Sequence, residues 1–151
     1  GIVTALPLIE GATPGEPFVV VSADIHSDYD YARLVPIVAS IRARYPVHAA
    51  HLVLVDNPPW HAGGDMALID GFIARDGEPK RTYSNIGVFH PGCFDDLTMH
   101  RPAQLFPWAY TLADEHRMTG TIHDGAWDNV GTPEQLAALD TRLREPPIPD
   151  A

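Results

Sequence analysis

Two short apolar runs, Phe18-Val19-Val20-Val21 and His51-Leu52-Val53-Leu54-Val55, constrain the fold of this chain most. The first, short and β-branched, reads as a buried strand of the kind found in parallel sheets, and the second reads as another strand. The first ends at Ser22-Ala23-Asp24, and the second at the breaker cluster Asp56-Asn57-Pro58-Pro59. Between them Tyr31, Leu34, Val35, Val38 and Ile41 recur at helical spacing, with Pro46 just beyond. Pro36 interrupts that helix and predicts a kink or two short pieces. Strand, helix and strand in this order are the unit of an α/β fold.

The rest of the chain extends the pattern. Ile2, Ala5, Leu6 and Ile9 predict an opening helix that stops near Gly11. Asp70-Gly71 between two apolar pairs predicts a hairpin, and residues 83–89 a third strand ending at His90-Pro91-Gly92. A helix is expected over 102–116, ending near Gly120. The last helix has Thr132 as its cap, Pro133 at the first helical position and Gln135 to complete a capping box. Leu136, Leu139 and Leu143 are expected to form its buried face, and Pro146-Pro147 to end it. The reading is one α/β domain over residues 1–145 with a largely parallel sheet, followed by a Pro-rich tail over 146–151.

Composition narrows the function. With 151 residues and 45% hydrophobic side chains, the chain is long enough for a real core. Ten Lys and Arg against twenty Asp and Glu leave a net charge of −10, which repels phosphate backbones and argues against nucleic-acid binding. The lone Cys93 cannot form an internal disulfide, which favours the cytoplasm. No apolar stretch is long enough to cross a bilayer, so no membrane partner is expected. The first residue is Gly1, which is expected of a processed chain or of a piece of something longer.

Two segments invite chemistry. Asp24 closes an apolar strand, where open α/β sheets bind ligands, and an acid there suits a metal or a ribose; its position alone favours a turn cap. Asp28 and Asp30 follow closely, and Asp30 is placed to cap the next helix. Residues 125–132, Gly-Ala-Trp-Asp-Asn-Val-Gly-Thr, offer the hard oxygen ligands of Mg²⁺, or a plain turn with Trp127 in the core. His48 and His51 face opposite sides of a strand start, and the other histidines lack zinc-type spacing. Cys93 has no Cys-His signature, and the glycines at 63 and 64 lack the Lys-Ser/Thr of a phosphate loop.

Taken together, three segments resemble a known family. Val19-Val20-Val21-Ser22-Ala23-Asp24-Ile25 resembles the V-x-N-G-D-I strand and Asp motif of the sugar-phosphate nucleotidyltransferases. Trp127-Asp128-Asn129-Val130-Gly131-Thr132 resembles their W-x-D-x-G-T motif, and residues 83–91 resemble the sugar-side strand between the two. Within the family the similarity is nearest to the N-acetylmuramate-1-phosphate uridylyltransferases of cell-wall recycling, whose relatives are often named mannose-1-phosphate guanylyltransferases.

The resemblance implies a Rossmann-like, GT-A-like fold: a mixed, mainly parallel sheet flanked by helices and incomplete at the N-terminus. It implies transfer of a nucleotidyl group from a nucleoside triphosphate, with UTP favoured, to a sugar 1-phosphate, with release of pyrophosphate and dependence on Mg²⁺. It makes Asp24 and Asn129 the catalytic metal ligands, with Asp128 as a substitute for Asn129, since Asn stands where many relatives carry Asp. Asn85 would bond the sugar or its acetamido group, and Lys80 or Arg81 would neutralise the sugar phosphate. The family's glycine-rich triphosphate loop has no counterpart before the Asp24 strand. The expectation is therefore a chain inactive alone, with an exposed sheet edge through which it associates. Two alternatives stand beside this reading: a noncatalytic sugar-phosphate or nucleotide-sugar binding module, and a metal-dependent hydrolase built on Asp24, His26 and Asp28.

Overall fold

The computed structural model describes residues 1–98 and 104–144. Eight strands and four α-helices follow in the order α1 (Ile2–Ala12), β1 (Phe18–Val21), β2 (Ile25–Ser27), α2 (Val35–Arg44), β3 (Ala50–Val55), β4 (Met66–Ile69), β5 (Phe72–Ala74), β6 (Lys80–Phe89), α3 (Leu105–Asp114), β7 (Met118–Ile122), β8 (Trp127–Asn129) and α4 (Pro133–Arg144). Six strands form one sheet in the order β1-β6-β3-β7-β5-β4, while β2 and β8 form a separate ribbon. The head of β6 also pairs with β4, through Met66↔Arg81 and Ala67↔Lys80, so the sheet curls back on itself.

β3 is the centre. All six of its residues are buried, and alternation sends Leu52 and Leu54 to one face and Val53 to the other. On the Leu face the core continues through Phe89, Met118 and the α3 residues Ala109 and Leu112, with α1 packed against it. On the Val53 face, Leu34, Ile41, Ile86 and Val88 pack under α2. Helices therefore cover both faces of the sheet.

Local chemistry shapes the elements much as the pattern predicts. A 3₁₀ turn over Tyr31–Leu34 precedes α2, with Pro36 in the first turn of the α-helix, where its missing N–H costs nothing. Asp30 caps the 3₁₀ turn by accepting from Ala32 N–H at 3.0 Å. Asp70 and Gly71 both take positive φ, 50° and 82°, in the two-residue loop that joins β4 to β5. The capping box of α4 is reciprocal: Gln135 N–H donates to Thr132 Oγ1 at 3.2 Å, and Thr132 N–H to Gln135 Oε1 at 3.0 Å.

Several expectations are corrected. The mixed α/β sheet forms, but its parallel pairing among the described residues is β3–β7, and the remaining pairs are antiparallel. β1 is not a buried parallel strand. It pairs antiparallel with β6 at the sheet edge, leaving Val19 43% and Val21 41% exposed. The helix expected to run towards Gly120 stops at Asp114, and residues 118–122 form β7 instead. Of the three leucines assigned to the buried face of α4, Leu139 alone is buried, because α4 meets the body along one narrow line; Leu136 and Leu143 are about 60% exposed. Residues 102 and 103 and the Pro-rich tail over 146–151 lie outside the described residues.

β7 was hidden in the sequence because its side chains serve a polar purpose. His51 on β3 is 4% exposed, and its two ring nitrogens meet the hydroxyls of Thr119 (2.9 Å) and Thr121 (3.1 Å) on β7. A neutral imidazole donates from one nitrogen and accepts at the other, which suits two hydroxyls. Burial pushes the His51 pKa down to about 4 from 6.5. The unfolded chain therefore binds the proton more readily between these values, and stability rises with pH there. The His51 contribution is complete above the unfolded pKa and is lost as pH falls towards the folded one, about 3 kcal/mol in all. Urea unfolding at about pH 7 and about pH 4.5 should show most of this loss. The loss should be absent from the His51→Gln variant, whose amide can still bond the two threonines.

Candidate active site

The Asp24 and Asn129 segments are distant in sequence and adjacent in space. β1 ends at Val21, and Asp24 sits exposed in the turn to β2. β2 then pairs antiparallel with β8 in the register Ile25↔Asn129, His26↔Asp128 and Ser27↔Trp127. Val130 N–H donates to the Asp24 carbonyl at 2.7 Å, closing the ribbon beside both candidate ligands. A Cβ placed on Gly131 would have Asn129 Nδ2 at 3.7 Å and Asp24 Oδ2 at 3.9 Å, so both side chains border the same small space.

β6 brings the third motif. Its register against β3 shifts between Leu52 and Leu54, and Asn85 occupies the irregularity with φ 63°, a conformation Asn tolerates better than most residues. Three bonds hold this bulge in place. Ser84 Oγ donates to the Val53 carbonyl at 2.7 Å, Ser22 N–H to the Asn85 carbonyl at 3.1 Å, and Trp127 Nε1–H to the Ser84 carbonyl at 2.8 Å. Asn85, Trp127 and Asn129 consequently line one cavity of about 310 Å³, whose walls include Trp60, Tyr83 and Phe106. A second cavity of about 390 Å³ adjoins it, sharing Trp60, Trp127 and Asn129, and opens beyond the end of β3 towards α4.

The chemistry of the cavity is aromatic walls with a few amides and one fixed acid. Asp65 accepts from Tyr83 N–H at 2.8 Å and meets His61 Nε2 at 3.0 Å, so both its oxygens are engaged. Asn129 Oδ1 is buried with no hydrogen-bond partner, and Asp24 has no ion pair among the described residues. A hard cation such as Mg²⁺ takes oxygen ligands, usually one or two from protein, and the unpartnered amide oxygen of Asn129 and the Asp24 carboxylate, on segments joined by the Val130–Asp24 backbone bond, are oxygens of that kind. No group of three or more His, Cys, Asp or Glu side chains gathers among the described residues. A cation here would complete its shell from phosphates and water.

The other predicted residues are engaged or lie elsewhere. Asp128 lines the second cavity, but its carboxylate is bound by Arg142 and lies 3.7 Å from His26 Nδ1, on the face of β8 opposite Asn129. Arg81 is ion-paired with Asp56, and Lys80 stands beside it at the head of β6; neither lines the two cavities. Asp24, His26 and Asp28 are not gathered, since His26 faces Asp128 and Asp28 meets His123 Nε2 at 2.9 Å. Asp28 is held below the usual carboxylate range, chiefly by a hydrogen bond to the backbone of Ala126 and then by His123. The Cys93 thiol donates to the His90 carbonyl at 2.8 Å, and burial pushes its pKa up to about 12, which disqualifies it as a nucleophile. His100 lies outside the described residues.

Sequence spacing did not reveal the aromatic wall or the His123–Asp28 pair. Trp60 carries the one usable signal. It follows Pro58-Pro59 at the carboxyl end of a buried strand, where open α/β sheets bind ligands. Phe106 and His123 come from segments joined to the site by the sheet alone.

No protein-family model matches the chain. In sequence it is 35% identical over 136 residues to the N-acetylmuramate alpha-1-phosphate uridylyltransferase of Neisseria meningitidis serogroup B, an alignment covering 87% of this chain and 55% of that protein. The chain thus spans about half the length of the curated relative it matches. Among solved structures it superposes on a Bacillus anthracis protein described as a candidate glucose-1-phosphate thymidylyltransferase, crystallised with sucrose, with a TM-score of 0.69 at 16% identity, covering 99% of this chain and 63% of that one. HddC from Yersinia pseudotuberculosis, also solved with GMP-PN, matches at TM-scores of 0.61 and 0.59 and 12% identity, over 95% of this chain and 63% of its own. The order of the motifs, the ribbon that joins them and these likenesses agree, and the chain is similar, in sequence and in fold, to a large part of a sugar-1-phosphate nucleotidyltransferase.

Proposed function

We propose that this chain supplies the sugar side and the metal ligands of a sugar-1-phosphate nucleotidyltransferase, with UTP and N-acetylmuramate 1-phosphate as the favoured substrates. The observation that supports the reading is the β2–β8 ribbon, which brings Asp24 beside Asn129, and Asn129 lines the same cavity as Asn85. The sugar 1-phosphate oxygen attacks the α-phosphorus of the triphosphate in line, and the bond to pyrophosphate breaks. Such a reaction needs positioning and charge neutralisation more than covalent help. Mg²⁺ supplies the neutralisation when bound, and Asp24 and Asn129 are the side chains that would hold it. Asn85 both donates and accepts, as recognition of an acetamido group requires. Trp60 and Trp127 present ring faces to the sugar. Lys80 and Arg81 stand outside both cavities and Arg81 is held by Asp56, so neither is assigned to the sugar phosphate.

Pyrophosphate release is proposed to require the part of such proteins that this chain does not span, since nothing before Asp24 offers a triphosphate loop. The chain alone is expected to bind sugar 1-phosphate and to show little or no turnover with UTP.

Calorimetric titration tests the reading directly. N-acetylmuramate 1-phosphate should bind more tightly than mannose 1-phosphate, and Mg²⁺ should strengthen binding; indifference to both sugar and metal would reject the assignment. The Asn85→Ala variant should lose on the order of tenfold in sugar-phosphate affinity, the worth of about one good hydrogen bond, with its Mg²⁺ dependence intact. The Asp24→Ala variant should show the opposite split, retaining metal-free binding and losing the Mg²⁺ enhancement.

A further inference from the structure

The two candidate metal ligands ride on a ribbon of only three residues per strand. A two-stranded ribbon this short is marginal by itself, so its stability depends on what pins its ends. One end is closed by the Val130 N–H to Asp24 carbonyl bond. The other end carries a denser set. Ser27 Oγ donates to the Ala126 carbonyl at 2.9 Å, and Asp28 N–H donates to the same carbonyl at 3.2 Å. Asp28 Oδ1 meets His123 Nε2 at 2.9 Å, and Ser27 Oγ lies 3.3 Å from that same nitrogen.

His123 is itself fixed to the middle of the sheet. It follows directly on β7, its N–H donates to the Leu54 carbonyl at 2.8 Å, and its ring stands edge-on to Tyr29 at 5.2 Å. It is 6% exposed, yet its Nδ1 has no hydrogen-bond partner, a penalty an apolar residue of the same size would avoid. Gly125 leaves the space this contact needs: a Cβ there would sit 2.3 Å from Asp28 Oδ1 and 2.5 Å from His123 Cε1.

We propose that His123 and Asp28 are a positioning pair, which anchors the β2–β8 ribbon to the central strands and thereby sets the spacing of Asp24 and Asn129 for one divalent cation. The inference rests on the metal role given to those two residues above. Neither member of the pair touches substrate; both act through the ribbon.

The test compares this chain with its His123→Ala, Asp28→Ala and His123→Gln variants by two readouts. Amide hydrogen exchange over residues 25–29 and 127–130 reports the ribbon. Electron paramagnetic resonance of free Mn²⁺, titrated with N-acetylmuramate 1-phosphate present, reports the metal. His123→Ala should speed ribbon exchange and weaken Mn²⁺ binding, each on the order of tenfold, as partners one shell out from a metal commonly do. Exchange in β3 and β6 should stay unchanged. His123→Gln, whose amide can still donate to Asp28, should restore both. Asp28 is largely exposed, so Asp28→Ala gives the same test if His123→Ala does not fold. Unchanged ribbon exchange overturns the anchor, and a loosened ribbon with unaltered Mn²⁺ affinity overturns its link to the site. If the unsubstituted chain binds Mn²⁺ no better than Asp24→Ala, the metal reading itself falls. Ribbon exchange then decides the anchor alone.

Discussion

The bulge in β6 is the joint on which the site hangs. At Ser84 and Asn85 three segments meet within two residues: the Val53 carbonyl takes the Ser84 hydroxyl, the Asn85 carbonyl takes Ser22 N–H, and the Ser84 carbonyl takes the Trp127 indole. A regular strand would spend these carbonyls on its neighbours in the ladder. The two extra residues free them, and they collect the chain leaving β1 and the chain entering β8. Asp24 and Asn129 are each a few residues from one of these anchors. Their proximity is thus a consequence of how a single strand is interrupted, and Asn85 itself is turned towards the cavity by the same interruption.

Around that joint the structure divides rigid from adjustable parts. β3, buried throughout and paired on both sides, carries no predicted functional residue; its task is to hold β6 and β7 in register. Even its one histidine is absorbed by the threonines of β7. The functional side chains stand on bulges, turns and the short ribbon beyond the sheet, where backbone geometry is free to serve a ligand. The edge strand β1 completes the picture. It pairs on one side alone among the described residues, and its Val19 and Val21 stay partly exposed.

How much of this was legible can be argued from particular residues. The split of α2 at Pro36, the Asp70-Gly71 turn and the capping box of α4 were all readable, because each depends on two to four adjacent residues and on local sterics. β7 was not readable. Thr119 and Thr121 look like surface residues until His51 is placed opposite them, and Gly120 signals a stop until the side chains of Ile73 and Leu68 are seen to need its missing Cβ. Leu136 and Leu143 failed in the other direction. Their spacing marks a helix face, but spacing cannot say whether a neighbour stands there.

The sequence by itself determined the elements whose signals are local, among them α2 with its break at Pro36, the Asp70-Gly71 turn and the cap of α4, and it marked candidate residues for chemistry. It marked an acid at the end of an apolar strand and an amide after Trp127 by position and ligand type, and an amide within the third strand through the resemblance to a family's motifs. Tertiary structure alone decided that these meet: the strand order, the antiparallel edge, the β2–β8 ribbon, the aromatic wall and the His123–Asp28 contact. The reason is physical. Caps, turns and periodicity are governed by interactions within one or two turns of chain, whereas pairing across about a hundred residues is fixed by the packing of the whole sheet.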